Sequence, residues 1–443
     1  MSYVDVAEAG WRWVLDQVRW DDDGPWIPES SPGSLNPDYR DGMHSGLGSL
    51  ALALADVRLT RDWTAEEQRL AGAVAGRLQA DIPLETDCTY FDGLVSTIGV
   101  LIALGEDADA AVERLLDLAT TDGWPQTFLQ PPRFLPNARI NDLVLGTAGV
   151  LLGALWARRA GARRADELAA HAAAVLLDEA RTTPAGLDWP FVPTRFRTDD
   201  DVAMPNLSHG VAGIATTLAL AGAELGRADL ADAARRGAEH LVTLGDTTGD
   251  TTGDTTGDTN GGGFVVPRRI PKAEDQDEFT YNWCHGPAGT SLLFPALERA
   301  GAVDIAGDEP GTWHRRCLDS VRNSGIPERR HPGFWDNDGR CCGTAGVGEV
   351  FLDSWQRTGN ADDLDFALHL ADTLVDRAIR KGPHAYWRFI EHRAAEPLLP
   401  PGVGWMQGAA GISAFLFRAA RVANGDRAVV ARMDTWWALE RPA

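Results

Sequence analysis

RCCGTAGVGE, Arg340 to Glu349, sets two adjacent cysteines directly before a G-x-x-G turn that runs into an apolar segment. The same arrangement stands earlier as WCHGPAG, Trp283 to Gly289. Working outward, the turn recurs as HSGLGSL at His44, FDGLVSTIG at Phe91, VLGTAGV at Val144, SHGVAGI at Ser208 and MQGAAGI at Met406. Anchored on Gly46, Gly93, Gly146, Gly210, Gly286, Gly343 and Gly408, the seven turns lie several tens of residues apart. That is the length of a helical hairpin plus a loop.

The segment after each turn is apolar nearly all round, as in Ser49-Leu-Ala-Leu-Ala-Leu and Val150-Leu-Leu-Gly-Ala-Leu. A helix apolar on every face is a buried one. Between turns lie amphipathic stretches at helical spacing: Ala65 to Ile82, Ala108 to Thr120, Ala162 to Arg181, Arg227 to Leu244 and Asp362 to Arg380. Asp107, Asp229 and Asp362 suit helix starts, where acids oppose the dipole. The alternation predicts an all-α fold, a double-layered α/α toroid of seven helical hairpins with an inner and an outer ring, as one domain over 1–443. The glycines suit tight turns, all at one end of the ring around its mouth. Loops with Trp26-Ile-Pro, Asp188-Trp-Pro and Phe334-Trp-Asp are expected to wall a cleft, and no strand-rich domain is expected. Residues 246–263, DTTGDTTGDTTGDTNGGG, read as a disordered low-complexity insertion between the fourth and fifth repeats. No bulky or bidentate acid recurs in it, which favours a solvated loop over a cation-binding repeat.

The chain of 443 residues carries 41 basic and 64 acidic side chains, a net charge of −23. That argues against a nucleic-acid backbone as partner, since phosphates want a basic face. No membrane span is expected, because the best apolar run, from Leu143, stops at Arg158-Arg159. Met1 to Gly10 lacks the basic start and apolar core of a signal peptide, so a cytoplasmic location is the expectation. In a large chain of a reducing compartment, clustered cysteines point to metal or catalysis before disulfides.

Three of the five cysteines, Cys284, Cys341 and Cys342, fall in the turns of two neighbouring repeats. Adjacent cysteines at a turn can bend both sulfurs toward one point, which a straight strand prevents because its side chains alternate. Zinc takes Cys and His ligands, and a catalytic zinc keeps one position open. Three thiolates with one open position match that pattern. On spacing alone two readings stand about even: a zinc site, or small apolar cysteines packed under tight turns. Cys88 and Cys317 suit the second, Cys317 on a helix expected around Trp313 to Val321.

The repeated G-x-x-G turns, WCHGPAG and the later CCG resemble the lanthionine synthetase C-like family, the lanthipeptide cyclases and their relatives, over nearly the whole chain. The resemblance implies a seven-membered α/α toroid, in line with the ring read from the repeats. It also implies a Zn2+ enzyme that adds a cysteine thiol to dehydroalanine or dehydrobutyrine, making thioether rings in a peptide. Carried over by motif, the metal ligands are Cys284, Cys341 and Cys342, the last where many members have histidine and some cyclases cysteine. A third thiolate makes such a site more negative, weakening the Lewis acid but leaving a substrate sulfur more electron-rich.

His209 in SHGVAG and Asp142 in NDLVLGTAG match the family's catalytic histidine and aspartate. A histidine titrates in the range needed to pass a proton to the substrate's α-carbon. Taken alone, each has a plainer reading, as a satisfied core histidine and a helix-capping aspartate. His285 stands where relatives carry histidine or an aromatic, and is expected to line the site or support a ligand. Some bacterial cyclases carry arginine four residues before the first zinc cysteine; here that position is Thr280. His44 is a weaker candidate for the cavity wall, and Trp283 is expected to pack.

The reading is therefore a zinc-dependent cyclase acting on a precursor peptide already dehydrated at serine or threonine. The chain has no kinase-like G-x-G-x-x-G-x-V or H-R-D set, so a separate dehydratase is the expected supplier and a candidate partner. Its rivals are an enzyme of the same fold that adds glutathione to dehydrated residues, and a non-catalytic peptide-binding toroid. A carbohydrate-acting toroid ranks last, since Asp92 and Asp142 do not make the pair of catalytic acids it needs.

Overall fold

The computed structural model describes residues 2–199, 202–247, 262–274, 277–328, 337–390 and 398–439. Residues 248–261 of the expected insertion lie outside that set, as do Phe334, Trp335 and Asp336 of the third tryptophan loop. Contacts group the chain into two compact units. One comprises Met1–Glu85, Phe91–Ala111 and Pro327–Arg432; the other comprises Thr86–Tyr90, Val112–Ile326 and Met433–Ala443.

The helices alternate in character along the chain. They begin with α1 (Tyr3–Leu15), α2 (Ser49–Thr60), α3 (Ala65–Asp81), α4 (Leu94–Leu104), α5 (Asp109–Leu118) and α6 (Thr147–Arg159). They continue with α7 (Ala165–Asp178), α8 (Val211–Leu225), α9 (Ala228–Leu244), α10 (Pro287–Thr290), α11 (Leu293–Arg299) and α12 (Pro310–Asn323). The last are α13 (Thr344–Thr358), α14 (Ala361–Arg377), α15 (Ala409–Ala423) and the short α16 (Trp436–Leu439). Every residue of α8 from Val211 to Gly222 is buried, whereas α9 buries only Leu230, Ala233, Ala234, Gly237, Ala238 and Leu241, one stripe at helical spacing. Amphipathic helices carry side-chain caps: Ser2 with Asp5 on α1, Thr64 with Glu67 on α3, and Asn360 on α14.

In the first unit α13 packs on α15, α15 on α2, and α2 on α4. In the second, α6 packs on α8 and α8 on α11. The amphipathic helices α7, α9, α12 and α14 cover α6, α8, α11 and α13, each following the helix it covers. The last buried helix, α15, takes its cover from α1 at the start of the chain.

The turn glycine is the N-cap of α4, α6, α8, α10, α13 and α15. These caps offer no side-chain acceptor, so the loop itself folds back to supply one. Thr344, Ala345 and Gly346 donate their N–H groups to the carbonyls of Asn337, Asp338 and Gly339, seven residues earlier. Thr147, Ala148 and Gly149 do the same with Ile140, Asn141 and Asp142. The first N–H groups of a helix have no intrahelical acceptor, and here the preceding loop provides them. The approach leaves no room for a Cβ: one at Gly343 would strike the Asn337 carbonyl, and one at Gly346 that of Arg340. The G-x-x-G motif is thus required by close approach of backbone rather than by a left-handed backbone.

Short antiparallel hairpins follow three amphipathic helices: β1 (Arg19–Asp21) with β2 (Gly24–Trp26), β3 (Arg181–Thr183) with β4 (Gly186–Asp188), and β5 (Ile379–Lys381) with β6 (His384–Tyr386). A fourth joins β7 (Phe389–Ile390) to β8 (Leu398–Leu399). The tryptophans closing two of them return to the helix before: Trp189 Nε1 donates to the Leu176 carbonyl at 2.6 Å, and Trp387 Nε1 to that of Leu374 at 2.9 Å. Trp189, expected at a cleft wall, is instead buried and ties down the end of α7.

Candidate metal and proton-transfer site

Backbone hydrogen bonds between successive turns place the side chains. In the second unit Tyr90 N–H donates to the Val144 carbonyl at 2.9 Å, Val144 to Ser208 at 3.2 Å, and Ser208 to Cys284 at 3.2 Å. In the first, Cys341 donates to Met406 at 2.8 Å, Met406 to His44 at 3.0 Å, and Met43 to Phe91 at 2.6 Å. Val144, Ser208, Cys284, Cys341, Met406 and His44 all stand two residues before their turn glycine. The repeated turn therefore puts Cys284 and Cys341 at equivalent places.

Asp142 lies in the loop whose carbonyls cap α6 and is fully buried, at 0% exposure. Its Oδ1 accepts the Leu145 N–H at 2.6 Å, and its Oδ2 accepts from His209 Nδ1 at 2.6 Å. His209 is further held by its own N–H, which donates to Asn206 Oδ1 at 3.0 Å. Its side chain is 23% exposed, so the ring is reachable although its partner is sealed off. Burial alone pulls the His209 pKa down; the hydrogen bond and charge of Asp142, aided by Cys284, more than offset it, so the net shift is upward.

Asn282 repeats the part of Asn206. Its Oδ1 accepts the His285 N–H at 3.2 Å and the Cys284 thiol at 3.3 Å. His285 lies 5.4 Å from His209, ring centre to ring centre, and Phe191 meets His209 edge-on at 6.1 Å. Burial pushes His285 down to about 4, which leaves it a neutral imidazole at neutral pH. Thr280 is buried, and its hydroxyl has no hydrogen-bond partner among the described residues. A cation does act on this region, from a place the sequence reading missed: the charge of Arg268 opposes protonation of both His209 and His285. No motif marks Arg268, which lies in the loop after the insertion.

In the first unit the Cys341 and Cys342 sulfurs are 3.3 Å apart. The Cys342 carbonyl accepts from Asn337 N–H at 3.0 Å, and Arg340 N–H joins that of Cys341 on the Met406 carbonyl. The Arg340 side chain is buried, bonded to Glu349 at 3.0 Å and laid over the Trp405 ring at 4.1 Å. Glu349 and Asp353 also bind Arg418 and Arg432, so the loop bearing the cysteines is anchored in a buried ionic network. His44 meets Phe91 edge-on at 5.3 Å.

The sulfurs of Cys284, Cys341 and Cys342 lie within 4.8 Å of one another, the one such group of potential metal ligands among the described residues. Tetrahedral zinc with Zn–S bonds of ~2.3 Å sets its sulfurs ~3.8 Å apart, so this cluster could bind a metal after small side-chain adjustments. Three soft sulfurs favour zinc over the hard cations magnesium and calcium. Cys88 and Cys317 stand apart as buried thiols, Cys88 pushed up to about 12 by burial and Cys317 also well up. Both keep the packing role expected of them.

The profile of the lanthionine synthetase C-like protein family matches residues 34–426. Among solved structures, nisin cyclase is similar over 91% of this chain and 93% of its own, with TM-score 0.57 and 13% identity. The Lin0763 protein of Listeria innocua, at TM-score 0.48 and 13% identity, covers 97% of this chain and 100% of its own. A sugar epimerase from a ruminal bacterium, at TM-score 0.49 and 10% identity, covers 94% and 97%. Comparison with curated proteins returns no match. At such identities the likeness to nisin cyclase shows the fold alone, the double-layered α/α toroid that the alternating helices predict. No helix among the described residues is long and apolar enough to cross a membrane.

Proposed function

We propose that this chain, which belongs to the lanthionine synthetase C-like family, adds the cysteine thiols of a peptide to dehydroalanine or dehydrobutyrine residues of that peptide. The products are lanthionine and methyllanthionine thioether rings. The observation that carries the reading is the group of three cysteine sulfurs within 4.8 Å of one another. The 2.6 Å pairing of His209 with the buried Asp142 gives it further support.

Cys284, Cys341 and Cys342 would hold a zinc ion. When bound, zinc supplies a Lewis acid that favours the thiolate form of a substrate thiol, whose free pKa is ~8.5. The chain's own residues handle the proton. As the S–C bond forms at the β-carbon, the π pair moves toward the α-carbon, which then takes a proton. His209 is the donor: its pKa is raised, its Nδ1–H is held by Asp142, and Nε2 is left for the substrate. Asp142 has one oxygen on Leu145 and one on His209, which suits it to orient and stabilise the imidazolium. The thiol loses one proton and the α-carbon gains one, so no oxidant or reductant is consumed. A separate dehydratase would supply the dehydrated peptide.

The test is mass spectrometry of a peptide holding one dehydroalanine and one cysteine, incubated with enzyme and then alkylated. Loss of the alkylatable thiol at unchanged mass is the expected result. A peptide that keeps its free thiol, or gains mass only when glutathione is added, overturns the assignment.

A further inference from the structure

Asp142, Asn206 and Asn282 stand at one position of the repeat, four residues before the turn glycines Gly146, Gly210 and Gly286. All three are fully buried. Each uses one side-chain oxygen in the same way, accepting the N–H three residues on: Leu145 at 2.6 Å, His209 at 3.0 Å and His285 at 3.2 Å. The second polar atom of each differs in what it meets. Asp142 Oδ2 accepts from His209 Nδ1 at 2.6 Å, and Asn206 Nδ2 donates to the Arg268 carbonyl at 3.2 Å. Asn282 Nδ2 is buried with no hydrogen-bond partner among the described residues.

The turn explains the oxygen of Asn282 but not its nitrogen. A turn acceptor needs only an oxygen, which serine, threonine or aspartate also supplies, and a buried donor left unpaired costs stability. The neighbouring sulfur gives the reason. The Cys284 thiol also donates to Asn282 Oδ1, at 3.3 Å, so the amide orients this side chain as well as the turn. The His285 N–H fixes which end of the amide faces them. A carboxylate in this place would set a negative charge against a sulfur that becomes anionic as a metal ligand; at Asp142 there is no such conflict, because its second oxygen meets His209. A metal-bound sulfur has lost its proton and takes donors, and Nδ2 is the donor that the side chain of residue 282 can offer it.

We infer that Asn282 is a positioning residue for the proposed metal site: its neutral amide holds the Cys284 side chain, and Nδ2 is the donor available to that sulfur once it binds metal. Asn282 acts through Cys284 and touches no reacting atom. Replacing a group that orients a metal ligand typically changes metal affinity by about 10–100-fold. The inference rests on the metal site of the proposed function, but its test reads metal binding without turnover.

The full chain is loaded with zinc and titrated with a chromogenic chelator, which reads zinc affinity by competition. Asn282→Ser keeps a turn-capping oxygen and removes the amide; Asn282→Asp keeps the oxygen and exchanges the donor for charge. Both are expected to hold zinc at least about tenfold more weakly than the parent. Cobalt gives a second reading: with Co2+ alone, the thiolate-to-metal absorption of both variants should fall from that of the three thiolates of Cys284, Cys341 and Cys342 toward that of two. Circular dichroism checks that each variant folds, and Asn282→Ser, the milder change, decides if Asn282→Asp does not. A residue that only caps the turn would shift the melting temperature and leave zinc affinity and the cobalt spectrum unchanged; that result in a folded variant overturns the inference. A parent chain that takes up no zinc overturns it too. Ring closure with zinc affinity indifferent to residue 282 sinks this inference alone; zinc binding that depends on Asn282 without ring closure sinks only the proposed function.

Discussion

Asp142→Asn isolates the group that holds His209, the proton donor of the proposed function. The substitution removes one negative charge with almost no change of volume at a site of 0% exposure. Asp142 accepts from Leu145 N–H and from His209 Nδ1, both at 2.6 Å. Asparagine has one acceptor oxygen for these two donors and turns an NH2 group toward the other. A hydrogen bond to a charged group contributes about 1.5–3 kcal/mol, so a loss of that order is expected wherever His209 is charged. The folded-state pKa of His209 lies above 6.5. The pair's contribution is therefore complete below that pH and is lost as pH rises through the folded value. In the variant this dependence disappears, because the His209 pKa falls. Removing a positioned proton donor slows a reaction by about 10²–10⁴-fold, or ~3–5 kcal/mol of barrier. Single-turnover ring closure across the pH range, with an NMR titration of His209, measures both effects. Wild-type closure by Asp142→Asn, with an unchanged pH profile and an unshifted His209, would refute the reasoning.

Three further outcomes are expected. Cys342→His should keep its zinc, measured by elemental analysis, yet slow ring closure by about tenfold, ~1.4 kcal/mol of barrier; an equal rate with zinc retained contradicts the role given to the third thiolate. Glu67 opposes its own burial with bonds from Arg61, Trp11 and the Thr64 N–H, and its pKa falls from 4.5 to about 2. Its contribution should be complete above about pH 4.5 and lost as pH falls toward about 2, so Glu67→Gln should flatten the acid limb of a melting-temperature profile; an unaltered limb counts against it. A Cβ at Gly149 would strike the Leu143 carbonyl, whereas one at Gly76 of α3 meets nothing within 4 Å. Denaturant titration should show Gly149→Ala losing about 1–3 kcal/mol and Gly76→Ala gaining up to about 1 kcal/mol, and effects of the same sign would break the argument.

Much of the fold is legible in the sequence because its signals are local. The amphipathic stretches expected at 65–82 and 227–244 become helices Ala65–Asp81 and Ala228–Leu244, since a stripe at helical spacing needs no distant partner to be recognised. Asp107 accepts the Asp109 N–H at 3.2 Å, near a helix start as expected. The hairpins after α1, α7 and α14 went unread, because strands of three residues carry too few alternations to register. Arg268 went unread because only its position in space gives it influence on His209.

By itself the sequence determined the seven glycine turns, the buried helix after each, and which residue types could serve as metal ligands or as a proton donor. Only the tertiary structure decided that Asp142 would be sealed away with both oxygens engaged. Periodicity and turn chemistry act over a few residues and are written in the order of the chain. The pairing of Asp142 with His209, 67 residues apart, depends on how whole helices pack, and that is set by contacts no local pattern encodes.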